Sequence, residues 1–263
     1  MQTENLKTIL FITGAFVGNE SWNEWRDFYE SRGYKTIAPP WPFKDASPES
    51  LRRRHPDSKI ASIRLKQLIE YYEEIVRLLP EKPIIIGHSI GGLIAQILNQ
   101  KEIASAVVAI HSVPPQGILS FKFSFLKAGW GPLGFFTPTK KTFLMTFSQW
   151  QYAFTNGLSP ELQKKGYEEL AIPESKLVVR DTITSVARVD FNQPHRPLLL
   201  IAGSNDNTIP QQLNFDNYKK YSDKKSVTDY KVFSGRNHFV LGQPGWEEVA
   251  LYIFEWLQVQ NNN

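Results

Sequence analysis

Residues 82–98 read KPIIIGHSIGGLIAQIL and set Ser89 between Gly87 and Gly91. An apolar run precedes the serine and an apolar, helix-spaced run follows it. The pattern G-x-S-x-G suits a sharp strand-to-helix turn, where backbones come so close that the flanking positions must be small. Such a turn lifts the hydroxyl out of the sheet. It also leaves the N–H of Ile90 at a helix N-terminus, where it can stabilise an oxyanion. The plain alternative is a tight turn with serine as filler. A phosphate-cradling loop does not fit, because no Lys-Ser or Lys-Thr follows the glycines at the G-x-x-x-x-G-K spacing.

A serine hydroxyl is a weak nucleophile until a base takes its proton. Imidazole titrates near neutrality and is the usual base. The chain has five histidines, at 55, 88, 111, 195 and 238. His238, in SGRNHFVLGQPGW, falls after the last expected strand, on the sheet edge that carries Ser89. It is the candidate general base. His55 lies in a basic loop, and His195 precedes a strand at the opposite sheet edge. Asp206, in LLLIAGSNDNTIP, follows the next-to-last strand and is the candidate acid that orients the imidazole. Its plain alternative is a turn residue or helix cap. Asp181 and Asp190 are rivals that lie in a different segment. The order is then Ser, Asp, His. A second oxyanion donor is expected from TGAFVGNESW, at the N–H of Ala15, with Phe16 as the alternative. Pocket candidates are Phe16, Trp22, Trp41, His88 and His111. For His88 and the two tryptophans, packing or a local hydrogen bond is the competing role.

These residues need a scaffold. Residues 7–13 read as a buried strand, 21–33 as a helix and 34–39 as a second strand. The Pro-rich segment 39–57 reads as a loop. Apolar residues at three- and four-residue steps make 57–79 one long amphipathic helix. A strand ending at Gly87, a helix from Ile90 and a strand over 105–111 follow. From 112 to 195 the alternation stops and aromatics crowd in, among them Phe121, Phe123, Phe125, Trp130, Phe135, Phe136, Phe143, Phe147, Trp150, Tyr152 and Phe154. This segment reads as an all-helical insert, with helix starts at Ser159-Pro160-Glu161 and Pro173-Glu174. Alternation resumes with strand, helix, strand and helix, and the polar tail QVQNNN reads as disordered. The fold class is therefore α/β: a mostly parallel, twisted sheet of about six strands, helices on both faces, and a helical lid. Its core is 1–111 and 196–263, and the lid is 112–195.

Composition narrows the function. The 263 residues are 41% hydrophobic and 21% charged, ordinary for a soluble globular protein, and the net charge is +4. The one dense basic cluster, Arg52-Arg53-Arg54-His55, reads as a solvated loop, so no nucleic-acid partner is expected. With no cysteine, disulfides, a cysteine nucleophile and thiolate metal sites are excluded. No run approaches the roughly 20 apolar residues of a membrane span. ILFITGAFVG lacks the basic leader and cleavage site of a signal peptide. A cytoplasmic location is expected.

Taken together, GHSIGG, GSNDNTIP and GRNHF, in this order and with a helical insert after the fourth strand, resemble the α/β-hydrolase superfamily, in its lid-bearing serine esterase branch. The resemblance covers nearly the whole chain. It departs at Thr13-Gly14, where the family often has His-Gly, so the bonds bracing the oxyanion loop are expected to differ. The first strand corresponds to the family's third. The resemblance implies a carboxylesterase-like hydrolase that needs no cofactor and works through an acyl-enzyme; no metal is expected, and the aromatics of the lid favour a small apolar or aromatic ester. C–C bond hydrolysis, lactone opening, perhydrolysis and ligand binding without catalysis use the same scaffold.

Overall fold

The structure, a computed structural model, describes residues 7–118, 123–134 and 137–261. Phe121, Phe135 and Phe136 lie outside these residues. Six strands form one all-parallel sheet: β1 (Thr8–Ile12), β2 (Lys35–Ile37), β3 (Ile84–His88), β4 (Ala106–Ile110), β5 (Leu198–Gly203) and β6 (Thr228–Phe233). The order across the sheet is β2-β1-β3-β4-β5-β6. The chain leaves β1 for the edge, then returns to lay β3 on the other side of β1. That reversal opens a crevice beyond the carboxyl ends of β1 and β3, the place where such sheets bind ligands.

Alternation along the strands sorts the core into two layers. Ile9, Phe11, Ile84, Ile86, Val108 and Ile110 face α1 (Asn23–Glu30) and α11 (Trp246–Asn261). Leu10, Ile12, Ile85, Val107 and Ala109 face the opposite way, towards α4 (Leu65–Leu78) and α5 (Ile90–Gln100). Both faces are covered, so the strands read as continuous apolar runs.

Four expectations need correction. The Pro-rich stretch contains α2 (Pro48–Arg53), capped by the Ser47 side chain on Ser50 N–H, with Pro at its first position. The expected long helix is broken: α3 (Ser58–Ala61) is capped by Asp57, and α4 starts afresh at Leu65. Asp181 accounts for the break, since it accepts from the Leu65 N–H at 3.1 Å and from the Arg64 guanidinium at 2.6 Å. Glu174 does not open a helix. It forms an antiparallel bridge with Phe143, and α9 (Lys176–Asp181) begins at the Ser175 cap. The polar tail continues α11 to Asn261, with the last two residues outside the described ones.

Between β4 and β5 run α6 (Phe123–Leu133), α7 (Phe147–Ala153), α8 (Pro160–Leu170) and α9. The arginine cluster is engaged here: Arg52 donates to the carbonyls of Ala171 and Glu168, at the end of α8, at 2.8 and 2.7 Å. None of the helices among the described residues is long and apolar enough to cross a membrane.

Candidate active site

Ser89 follows β3 directly and caps α5, with φ 56° and ψ −118°. That backbone is strained for a residue with a side chain, of order 1–3 kcal/mol. The surroundings enforce it. Ser89 N–H donates to Ile110 O at 3.0 Å and Val113 N–H donates to Ser89 O at 3.0 Å. A Cβ on Gly87 would collide with the carbonyl of Gly91, and one on Gly91 with that of Ile12. The G-x-S-x-G spacing thus reflects three backbones meeting at one turn.

Ser89 Oγ lies 3.1 Å from His238 Nε2, and His238 Nδ1 lies 2.7 Å from Asp206 Oδ2. Asp206 Oδ1 accepts from the N–H groups of Thr208 and Ile209 at 2.8 and 2.7 Å. Burial opposes ionisation of Asp206. The neighbouring His238 and His111 rings outweigh it and hold the carboxyl well below the usual range. An ionised carboxylate can only accept, so the proton sits on His238 Nδ1 and Nε2 keeps a lone pair for the serine proton. The structure therefore brings Ser89, Asp206 and His238 together in one hydrogen-bonded line.

The other two histidines stand behind this line. His88 Nε2 donates to the carbonyl oxygen of His238 at 3.0 Å. His111 Nδ1 lies 2.9 Å from Asp206 Oδ2, out of line for a good hydrogen bond. Both are almost fully buried. Burial pushes His88 well below the ordinary imidazole value and lowers His111. The ring nitrogens of His88, His111 and His238 lie within 4.8 Å of one another, a spacing that could hold a metal ion. Both nitrogens of His238 and Nε2 of His88 are already committed to hydrogen bonds, whereas among the described residues His111 meets no hydrogen-bond partner.

An apolar cavity of about 150 Å³ opens on Ser89 and His238. Its walls combine Ala15, Phe16 and Ile90 with Phe125, Met145 and Val179 of the segment between β4 and β5. A more open hollow of about 520 Å³ adjoins it, sharing Ala128, Pro132 and Met145 as wall. Phe154 stands edge-on to the His238 ring at 4.9 Å, a contact the sequence does not single out.

Of the five pocket candidates only Phe16 lines this cavity. Trp22 is instead fully buried, stacked on Phe11 at 4.6 Å. Trp41 is core, with Lys44 Nζ 4.1 Å from its ring centre. His88 and His111 serve the backbone of His238 and the carboxylate of Asp206. A tryptophan near a strand end reads the same in sequence whether its ring turns to the crevice or to the sheet.

Phe16, with φ 69°, donates its N–H to Glu174 Oε2 at 3.3 Å. Among the described residues, no acceptor meets the N–H groups of Ala15 and Ile90. Gly14 carries this loop against Ser89: a Cβ there would lie 2.8 Å from Ser89 Cβ.

The alpha/beta hydrolase family profile matches residues 9–250, and the chain belongs to that family. Among curated proteins none matches it. Solved structures share its fold at low identity. A monoacylglycerol lipase of Paleococcus ferrophilus is 18% identical, with a TM-score of 0.69 over 96% of this chain and 94% of that one. A methylesterase from Arabidopsis is 16% identical, with a TM-score of 0.67 over 97% and 100%. A variant of tomato methylketone synthase I, complexed with beta-ketoheptanoate, is 16% identical, with a TM-score of 0.71 over 97% and 98%.

Proposed function

We propose that this chain is a serine hydrolase that cleaves a small, uncharged, apolar carboxylic ester through an acyl-enzyme on Ser89. The observation that carries the reading is the line from Ser89 Oγ to His238 Nε2 and from His238 Nδ1 to Asp206 Oδ2, at 3.1 and 2.7 Å, opening on an apolar cavity. His238 Nε2 takes the serine proton as Oγ bonds to the ester carbon. The carbonyl electrons move onto oxygen, and the N–H groups of Ala15 and Ile90 hold the oxyanion. As the tetrahedral species collapses, the C–O bond to the alcohol breaks and His238 gives that oxygen its proton. A water, deprotonated by His238, then adds to the acyl carbon. Collapse returns the proton to Ser89 Oγ and frees the acid. Asp206 keeps the imidazole in the required tautomer and stabilises its charged form.

The cavity supports the substrate class. An apolar space of this size holds about one benzene-sized group, and among the described residues its walls include no Lys, Arg, Asp or Glu. The helices between β4 and β5 act as the lid, since they supply much of the wall. The ester-cleaving activity of the lipase and methylesterase of like fold is in keeping with this reading.

The test is labelling with a fluorophosphonate, together with release of p-nitrophenol from short acyl esters. The unaltered protein is expected to label and turn over, and Ser89→Ala to do neither. Equal labelling of the two would refute the reading.

A further inference from the structure

Lys44 and Glu174 form an ion pair at 2.5 Å with almost no exposure of either side chain. Burying two charges carries a desolvation penalty of several kcal/mol per ion, and well-packed apolar residues often stabilise a fold as well or better. Stability alone therefore gives no reason for the pair. Its surroundings give one. Glu174 Oε2 also accepts the N–H of Phe16, and Oε1 accepts that of Ser175 at 2.7 Å. Phe16 is held at φ 69°, where a residue with a large side chain does not rest unaided. Its neighbour Ala15 presents the free N–H beside Ser89. Among the described residues, the near alternative for a local brace, Thr13 Oγ1, is buried without a partner.

We infer that Glu174, anchored by Lys44, is a positioning residue for the oxyanion loop. Its carboxylate occupies the N–H of Phe16, fixes the left-handed turn there, and so aims the N–H of Ala15 at the reacting oxygen. Lys44 holds the carboxylate in place. Burial lowers the lysine's pKa, and its contacts with Glu174 work against that fall. The assignment also makes Ala15, rather than Phe16, the second oxyanion donor. It rests on the serine-hydrolase reading.

Two variants test it. Lys44→Met/Glu174→Leu replaces the pair by apolar side chains and removes the acceptor. The expected result is a kcat loss of about ten- to a hundredfold with KM within about twofold, since small misplacement of a reacting geometry has effects of that order. Affinity for a trifluoromethyl ketone, which forms a tetrahedral adduct on the serine, falls in parallel. Glu174→Asp keeps both charges and the fold but withdraws the acceptor by one methylene. It is expected to lose kcat about tenfold. Lys44→Met/Glu174→Gln restores the acceptor without charge and recovers most of the rate. Wild-type kcat and adduct affinity in Glu174→Asp, or in the leucine pair, overturn the inference. Failure of the unaltered protein to label with a fluorophosphonate overturns the underlying reading instead.

Discussion

His88, next in the chain to Ser89, reaches 3.0 Å across to the carbonyl oxygen of His238 and holds the backbone that carries the candidate base. Nε2 must carry a proton to donate there, and burial favours the neutral ring. His88→Phe fills the same space and leaves that buried carbonyl unpaired. The expected effect is a loss of about 1–3 kcal/mol of stability, with kcat down about tenfold or more and KM little changed. Denaturant unfolding and steady-state kinetics on a p-nitrophenyl ester measure both. An unchanged kcat in a destabilised variant would limit His88 to a structural role.

The hydrogen-bonded line makes its own prediction. His238→Ala and Ser89→Ala fold normally and lose about 10⁴-fold or more in turnover, and Asp206→Asn loses a comparable factor through the wrong imidazole tautomer. Any double variant among the three is no worse than the poorer single one, because the groups act as a unit. A simple product of the single losses would count against their acting together.

Strain at Ser89 has a consequence that opposes activity. Glycine accepts φ 56° freely. Ser89→Gly should therefore stabilise the fold by about 1 kcal/mol, on the order of 2–4 °C in Tm for a chain of this size, while abolishing turnover. Ser89→Ala keeps the strain and gains nothing. Calorimetry of the two variants decides. Equal melting temperatures would show the turn to be unstrained.

Stability should fall in mild acid. Burial depresses the folded pKa of both His88 and His111, so the unfolded chain binds more protons than the folded one below the unperturbed imidazole value of about 6.5. The contribution is complete above that pH. It is lost as pH drops below it, by up to about 1.4 kcal/mol per pH unit for each group, until the folded pKa is reached. Asp206, whose folded pKa is also depressed, acts in a lower window: its contribution is present above about pH 4 and is lost below it. Urea unfolding at pH 7.5, 6.5 and 5.5 reads the upper window. His111→Phe should flatten the slope, and an unaltered slope would exclude His111 as a source.

Substrate choice follows from the walls. A p-nitrophenyl butyrate should be cleaved at least a hundredfold faster, in kcat/KM, than the matching succinate monoester, whose carboxylate would enter the cavity without a partner. Comparable rates would mean that the acyl group does not occupy this cavity.

The elbow, the order Ser-Asp-His and the parallel sheet were legible in sequence because each rests on local chemistry. Gly87 and Gly91 mark a close approach, Ser159 a helix cap, and Ile84 to Ile86 a strand buried on both faces. What stayed hidden depends on contacts across the chain. Glu174 follows a proline and reads as a helix start. Its actual partners, Lys44 and Phe16, lie 130 and 158 positions away. The break in the expected long helix is likewise set by Asp181, well over a hundred residues on. Trp22 and Trp41 carry no local signal for which way their rings turn.

The segment between β4 and β5 is tied to the loops that carry Asp206, His238 and Phe16, the second through Phe239 N–H on Phe154 O at 3.0 Å. Asn207 and Thr208 donate to the carbonyls of Tyr152 and Ala153, at 3.0 and 2.5 Å, beside Asp206. Ile172 donates to Phe16 O at 3.0 Å and Gly18 to Leu170 O at 3.3 Å, on the loop after β1. A chimera carrying the equivalent segment of another hydrolase would therefore exchange part of the machinery along with the specificity. Grafts at this junction need residues 170–175 to travel with Phe16 and Lys44 as one unit.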